Sequence, residues 1–557
     1  LTVYRAGFTT PAWFRTGVMY QIFPDRFARD SSATAQRGME HHRRMGQTVH
    51  CHAGWDEPVE WRANTPEGEY APVDFYGGTL RGIADRLHYL QKLGVTVLYL
   101  NPIFESASNH RYDTGDYRKV DPILGTNADF KKLCAAAADC GIRIVLDGVF
   151  AHTGADSRYF NRFRHYPGCG AYNSRSSVYA RWYSFAHYPD DYKCWWDFKG
   201  LPAVNAANPD WRKYMITGER SIVKTWLHDG ASGWRLDVAD ELPDDVLRGM
   251  RSAAKETDPD SVLLGEVWED AVTKVSYGER RQYALGDALD SVMNYPLRDG
   301  LVTFLTGRST ARALADLLLS QRLNYPRPLY YALMNLTASH DVARTRSALA
   351  LDFDPRSRTR AELAALEITD AMAARGAQLQ VLAAAVQFWL PGIPSIYYGD
   401  ETGMQGLCDP FNRAPLQMCD TQMLQWYAQL TALRHAHPAL TRGEVAVFAP
   451  AGDVLCVLRV IADGRDAFGE EAEDEALLLI VNRAAHPVRC HVELTCPGAG
   501  LCEETRLAFV RSEYDCAADC TDDTHIAIHD GVGAFDLPPH AAKIYRLENR
   551  HGTETGS

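Results

Sequence analysis

From about residue 18 to residue 435, short β-branched runs alternate with stretches of helical periodicity, which is the pattern of parallel βα units. The first strand is predicted at 18–23. Helical periodicity over 80–93 leads into a strand at 95–101. The same pattern over 128–140 leads into one at 142–147, where Ile142, Ile144 and Leu146 share a face. Further strands are predicted at 233–237, 262–266, 289–295, 333–341 and 392–398, among helical stretches near 210–228, 243–257, 308–322 and 361–389. Eight strands in this order predict an α/β fold of the closed (β/α)8, or TIM, barrel type.

Between residues 147 and 233 the chain is too long for one crossover helix, and 155–205 is rich in aromatics: Tyr159, Phe160, Phe163, Tyr172, Tyr179, Trp182, Tyr183, Trp195 and Trp196. A small domain inserted after strand three accounts for this. Beyond Gly443 helical periodicity disappears, and runs at 454–460, 476–481, 488–494 and 541–547 predict antiparallel strands of a C-terminal β-sandwich, with an acidic loop at 463–475. The predicted division is barrel over 1–151, inserted domain over 152–206, barrel again over 207–440 and sandwich over 441–557.

Composition removes several classes of function. The balance of 58 Lys+Arg against 71 Asp+Glu gives a net charge of -13, which repels a phosphate backbone, so neither nucleic acid nor an anionic membrane surface is expected as a partner. The longest apolar run, from Val381 to Leu390, is interrupted by Gln387 and stopped by Pro391, well short of the ~20 residues of a membrane span. Residues 1–20 hold Arg5, Pro11 and Arg15 where a secretory signal would be apolar; a cytoplasmic protein is expected, or a secreted one if a leader has been removed. The 13 cysteines include no CxxC pair and are expected to be reduced thiols, with a Cys496–Cys502 or Cys516–Cys520 bridge as the alternative after export.

A barrel of this kind carries its site at the C-terminal ends of the strands. Asp147 ends strand three, Asp237 strand four, Glu266 strand five and the pair His340-Asp341 strand seven, so four carboxylates are expected on one rim. Arg235, two residues before Asp237, shares its strand face and is expected to favour an ionised, nucleophilic Asp237. Glu266 lies among Leu264, Val267 and Trp268, an apolar setting expected to retain a proton. One carboxylate and one carboxylic acid form the pair that glycoside hydrolysis requires. His152 and His340 can donate hydrogen bonds to sugar hydroxyls, and aromatic faces in the inserted domain suit the apolar faces of pyranose rings. Each feature alone has a plainer reading: a strand-end Asp as a cap, His152 as a structural histidine, the aromatics as core. Metal-dependent hydrolysis is the rival use of such clusters, but no HxH or HExxH spacing occurs at these strand ends, and no metal site is expected.

In order along the chain, Asp147-Gly-Val-Phe-Ala-His152, Gly233-Trp-Arg-Leu-Asp-Val-Ala-Asp-Glu241, Gly265-Glu-Val-Trp268 and Ser339-His-Asp341 resemble the four signatures of the α-amylase family, glycoside hydrolase family 13. Leu201-Pro-Ala-Val-Asn205 and Gly392-Ile-Pro-Ser-Ile-Tyr-Tyr-Gly-Asp-Glu401 are similar to its two auxiliary segments. Tyr20-Gln-Ile-Phe-Pro-Asp-Arg-Phe27 and the Val-Ala-Asp-Glu tail after Asp237 resemble most the neopullulanase, cyclomaltodextrinase and maltogenic amylase branch. The resemblance implies that Asp237 is the nucleophile, Glu266 the acid/base and Asp341 the transition-state stabiliser. It implies that Asp147, His152, Arg235 and His340 complete the subsite of the reacting glucose. It further implies that Tyr112 stacks beneath that ring, Trp268 lines the leaving-group side and Arg413 binds hydroxyls on the non-reducing side.

Three departures stand out. Ala151 replaces an asparagine that ligates calcium in many members, and Ala28-Arg-Asp-Ser-Ser32 lacks most ligands of the branch's other calcium loop, so no cofactor, calcium included, is expected. The barrel begins almost at once, without the N-terminal β-domain that helps the branch dimerise, which leaves the oligomeric state open. The expectation is a retaining hydrolase of α-1,4 glucosidic bonds in maltooligosaccharides, cyclodextrins, pullulan or starch, with some transglycosylation and with action on α-1,6 bonds left open. An α-glucosidase or amylopullulanase-like hydrolase is the second enzyme reading, and a catalytically silent sugar-binding homologue is the non-enzyme reading.

Overall fold

The computed structural model describes residues 2–66, 68–494, 505–509, 525–529 and 531–549. Among them, eight parallel strands form one sheet: β1 (Met19–Ile22), β2 (Val97–Leu100), β3 (Arg143–Gly148), β4 (Gly233–Leu236), β5 (Val262–Gly265), β6 (Ser291–Val292), β7 (Met334–Leu336) and β8 (Ile393–Tyr397). They run in the order β6-β5-β4-β3-β2-β1-β8-β7, and a parallel bridge between Met293 and Met334 joins the two ends into a barrel.

The period-2 alternation of each strand decides what faces the interior. Met19, Val97, Tyr99, Val145, Val262, Leu264, Met334, Leu336 and Ile393 pack together inside the barrel. Their neighbours Tyr20, Leu98, Leu100, Ile144, Leu146, Trp234, Leu236 and Leu263 pack outward as part of a second buried cluster that includes the helices. The face shared by Ile142, Ile144 and Leu146 is therefore the outer one, and Asp147 points inward with Val145. In register, Arg235 pairs with Asp147 on one side and Leu264 on the other, so the inward positions of β3, β4 and β5 form one layer of side chains near the rim.

Several elements differ from expectation. Strands six and seven are shorter than the runs 289–295 and 333–341, and residues 337–341 leave the sheet as a loop, which frees His340 and Asp341 from the ladder. The helical stretch 361–389 is two helices, Arg360–Ala364 and Asp370–Trp389, each started by a threonine cap, Thr359 and Thr369. A second excursion, between β1 and β2, was not foreseen. It holds the helix Thr34–Arg44 and a two-stranded pairing of His50–Cys51 with Asp74–Phe75.

The C-terminal region is antiparallel, with β9 (Glu444–Ala451), β10 (Val454–Ile461), β11 (Glu475–Asn482), β12 (Val488–Glu493), β13 (Thr505–Phe509), β14 (His525–His529), β15 (Val532–Leu537) and β16 (Ala541–Asn549) in the order β9-β10-β11-β16-β13-β14-β15-β12. Val454, Cys456, Leu458, Leu478 and Ile480 from one end of this sheet share a core with Cys490, Val492, Phe535 and Leu537 from the other, so it folds over on itself as a sandwich. No helix among the described residues is long and apolar enough to cross a membrane. The nine described cysteines are free thiols, whereas Cys496, Cys502, Cys516 and Cys520 lie outside the described residues.

Candidate active site

Residues Asp147, Arg235, Asp237 and Glu266 meet at the rim because β3, β4 and β5 are adjacent and in register. Arg235, fully buried, places NH1 2.8 Å from Asp147 Oδ1 and 2.9 Å from Asp237 Oδ1. Its NH2 lies 2.8 Å from Glu266 Oε2 as an ion pair without hydrogen-bond alignment. One guanidinium thus serves three carboxylates. Asp341 approaches from the loop after β7, with Arg413 NH2 3.9 Å away.

Arg235 favours the ionised form of Asp237, in the expected direction, but its charge is shared with Asp147 and Glu266. Burial raises the pKa of Asp237 well above the ordinary range; Glu266 and Asp147 add to the rise and Arg235 opposes it. Burial likewise raises Asp147, against the pull of Arg235 and two tyrosine hydroxyls. Burial, reinforced by the charge of Glu266, pushes Asp341 up to about 7. Asp147 and Asp237, both buried, and the partly exposed Asp341 outnumber the cations that face them, Arg235 and Arg413, which favours retention of a proton among them.

The expected apolar setting of Glu266 is corrected. Trp268 Nε1 donates to Glu266 Oε1 at 2.9 Å, and the backbone N–H of Val238 donates to Oε2 at 2.8 Å. Val238, a β-branched residue, is held at φ 37 in the left-handed region, a strain found where a backbone group is aimed at a functional atom. The Trp268 ring is stacked on Tyr295 with centroids 3.9 Å apart, so it both fixes the acid and lines the space beside it. Immediately before the acid, a Cβ on Gly265 would meet Leu289 Cδ1 at 2.4 Å, so any side chain there would force Leu289 to shift.

Tyr112 lies in the loop between the short strands Phe104–Ser106 and Thr114–Val120. Its hydroxyl donates to Asp147 Oδ2 at 2.7 Å, as does that of Tyr99 at 2.6 Å, and its ring stacks on His340 with centroids 5.1 Å apart. Gln21 Nε2 donates to His340 Nδ1 at 2.9 Å, which leaves the His340 proton on Nε2, 2.7 Å from the Tyr112 hydroxyl and 3.2 Å from Asp341 Oδ2. Burial, with Arg413 and Arg235 nearby, lowers the His340 pKa far below the ordinary range, so the ring is neutral. Burial also lowers His152 to about 4, and its Nε2 reaches the Tyr112 carbonyl at 3.1 Å. Arg413 points Nε at the His340 carbonyl at 3.1 Å and pairs with Asp409 at 2.8 Å, a placement that orients the His340-Asp341 loop.

All ten residues singled out in the sequence therefore lie in one connected network. Four others in it were missed: Gln21, Tyr99, Asn101 and Asn412. Asn101 Nδ2 donates to the Tyr112 hydroxyl at 2.8 Å, and Asn412 Nδ2 reaches the carbonyls of Ser339, His340 and Val342. A signal existed for three of them. Gln21, Tyr99 and Asn101 fall on the inward parity of otherwise apolar strands at the rim end, where a polar atom needs a reason.

Among the described residues, no group of three or more His, Cys, Asp or Glu side chains is placed to hold a metal ion. In the loop after β1, the Arg29 guanidinium donates to the carbonyls of Tyr76, His52 and Ala53 at 2.5, 3.0 and 3.1 Å. Asp30 is engaged by the Ser32 N–H and by Thr79 Oγ1. The Ala151 carbonyl accepts from the Val204 N–H at 3.0 Å, and the Tyr117 hydroxyl donates to the carbonyls of Val149 and His152. Each of these oxygens accepts a hydrogen bond from a protein donor.

Fold and rim together define a (β/α)8 barrel with carboxylates at its strand ends, a domain inserted after β3 and an antiparallel domain behind it. The sequence matches the family model for the alpha amylase catalytic domain over residues 21–418, and the chain belongs to the α-amylase family. It is 36% identical over 537 residues to an amylopullulanase of Thermoanaerobacterium thermosulfurigenes, covering 89% of this chain and 27% of that protein. It is 32% identical over 489 residues to a cyclomaltodextrinase of Geobacillus thermopakistaniensis, covering 86% of this chain and 70% of that protein. The cyclic α-maltosyl-(1→6)-maltose hydrolase of Arthrobacter globiformis, solved in complex with that cyclic sugar, superimposes with a TM-score of 0.70 at 27% identity over 97% of this chain and 100% of that one. Against the amylopullulanases it matches, the chain spans 27%, 40% and 34% of their lengths.

Proposed function

We propose that the chain is a retaining α-glucan hydrolase of neopullulanase type. It cleaves α-1,4 and also α-1,6 glucosidic bonds in maltooligosaccharides, cyclodextrins, pullulan or starch, with some transglycosylation. The observation that carries this reading is the single guanidinium of Arg235, which holds Asp237 and Glu266 side by side at one rim, the carboxyl pair that glycoside hydrolysis requires.

In this reading Asp237 attacks the anomeric carbon while Glu266, steered by Trp268 Nε1 and the Val238 N–H, gives its proton to the departing glycosidic oxygen. The glycosyl ester on Asp237 is then hydrolysed by a water that Glu266 deprotonates. Two inversions leave the α-anomer. Asp341, His340 and His152 grip hydroxyls of the reacting ring, and Tyr112 forms the floor against which it is oriented. Both histidines are neutral, so His340 gives a hydrogen bond through Nε2–H and His152 accepts one through Nδ1 without either adding charge. The reaction needs no calcium, and the Arg29 guanidinium and Tyr117 hydroxyl hold the loops that a metal would otherwise tie together.

The higher identity to amylopullulanases than to cyclomaltodextrinases favours one variant of the reading, with α-1,6 cleavage prominent. The test is product analysis on starch, pullulan, β-cyclodextrin and maltotriose, with the anomer followed by proton NMR during the first turnovers. Release of α-anomeric products from at least one of them is expected. Release of the β-anomer, or inertness toward all four, would overturn the proposal.

A further inference from the structure

The aromatics of the inserted domain fall into two groups. Tyr159, Phe160, Trp182, Tyr183 and Tyr192 are buried and pack on one another as that domain's core. Trp195, Trp196 and Phe198 are different. Trp196 is 71% exposed and Phe198 58% exposed, yet the three rings lie nearly parallel: Trp195 and Trp196 have centroids 5.1 Å apart at 16°, Trp195 and Phe198 6.0 Å apart at 24°. A patch of large apolar rings left in water has a functional meaning more often than a packing one.

The turn that carries these rings is tied down. Trp195 N–H donates to the Leu201 carbonyl, Phe198 N–H to that of Trp195, and Ala155 N–H to that of Gly200. Trp196 and the following Asp197 both hold left-handed backbone, at φ 46 and φ 63, which an aspartate tolerates but a bulky tryptophan does not favour. The fold thus keeps a strained turn in order to present an exposed indole on a rigid support.

The patch is continuous with the candidate active site. The Trp195 ring lies 5.6 Å from that of His152, which touches Tyr112 and through it Asp147 and His340. His152 Nδ1, an acceptor because the ring proton on Nε2 faces the Tyr112 carbonyl, and Trp195 Nε1, a donor, are both buried and have no hydrogen-bond partner in the protein.

We propose that Trp195, Trp196 and Phe198 form an outlying binding platform for glucose units of the same α-glucan chain whose scissile bond lies at Asp237 and Glu266. The apolar faces of successive pyranose rings stack on the indoles while their edges stay in water. The platform selects for chain length and takes no part in bond cleavage. It rests on the hydrolase reading above.

The test compares kcat/KM on maltoheptaose with that on maltotriose for the full chain and for Trp196→Ala/Phe198→Ala. Truncating a stacked aromatic contact lowers the ratio of the two constants by about five- to tenfold. Trp196→Phe, which keeps a ring, restores most of the ratio. An unchanged ratio overturns the platform, and so does an unchanged ratio accompanied by a change of oligomeric state in sedimentation, which would assign the patch to a second copy of the chain. If the wild type cleaves neither sugar, the hydrolase reading fails on its own. The platform is then decided by calorimetric titration of both sugars: selective loss of maltoheptaose affinity in the double variant upholds it, and equal affinity in variant and wild type overturns it.

Discussion

Two buried charge clusters lie at the same end of the barrel, one around Arg26 and one around Arg235, and they hold their carboxylates in opposite ways. Asp25 accepts hydrogen bonds from the N–H groups of Tyr76 and Gly77 and from Arg26 Nε. Asp74 accepts from Arg26 NH2, His52 Nε2 and Asn109 Nδ2. Burial alone would push Asp74 up, but Arg26 and His52 take it down to about 2. Around Arg235, Asp147 and Asp237 are as deeply buried but share one guanidinium with Glu266, so burial prevails and raises both. The partly exposed Asp341 is pushed up to about 7 by burial and the charge of Glu266. Burial does not decide the protonation of a carboxyl; the number of cations and aligned donors per carboxyl does. The saturated cluster stabilises the fold, and the undersupplied one is poised for proton transfer. The two are in contact, since Arg26 NH1 donates to the Arg413 carbonyl at 3.0 Å.

The largest effect that would separate them is on rate. Asp237→Asn and Glu266→Gln should each lower kcat by about 10⁴-fold or more with melting unchanged, and the double variant should be little worse, because the groups act as a unit. Asp74→Asn should leave kcat within about tenfold of wild type. Near-normal turnover in a well-folded Asp237→Asn or Glu266→Gln protein would erase the distinction.

Next in size is Tyr112→Phe. This substitution removes the hydroxyl that joins Asp147 to His340 and keeps the ring. Poorer alignment of the reacting sugar should lower kcat roughly 10- to 100-fold. A rise confined to KM would make Tyr112 a binding surface alone.

Stability against pH gives smaller effects of opposite sign. Asp74, lowered from the ordinary 3.8 to about 2, contributes stability above the ordinary value that is lost as pH falls through the folded one. Asp74→Asn should therefore cost about 2 kcal/mol near neutrality, with the difference shrinking toward strong acid. Asp341, raised from 3.8 to about 7, carries a penalty that builds as pH rises between those values. Asp341→Asn should be the more stable protein at about pH 8, by about 1–2 kcal/mol after allowing for screening by water, and no more stable than wild type near pH 4. The allowance is needed because the Asp341 side chain is 28% exposed. Denaturant titrations from about pH 2 to about pH 8 check both signs; parallel curves for the two variants would refute the contrast.

The smallest expected effect is none. A strong chelator should leave activity and thermal midpoint within error, because protein donors fill the carbonyls near Arg29 and Ala151. Loss of activity on chelation, restored by calcium, would show that these loops are held otherwise.

Sequence alone determined the barrel, because strand-helix alternation and the parity of each strand are local properties that survive without coordinates. Parity also placed Arg235 and Asp237 on one face and put Asp147 at a strand end. Tertiary structure decided what those residues do to one another. A register between β3 and β4 sets Arg235 against Asp147, and the next strand brings Glu266 to the same guanidinium, so a cation assigned to one carboxylate is divided among three. The Glu266 neighbours read as apolar from its flanks became polar, because the Trp268 indole turns its N–H inward and the Val238 backbone is bent to donate. The excursion after β1, with Arg29 and Asp74, and the split of the inserted domain's aromatics into core and exposed rings were likewise illegible. Aromatic residues at neighbouring positions carry the same sequence signal whether they point inward or outward, and hydrogen bonds between segments far apart in the chain have no local pattern at all.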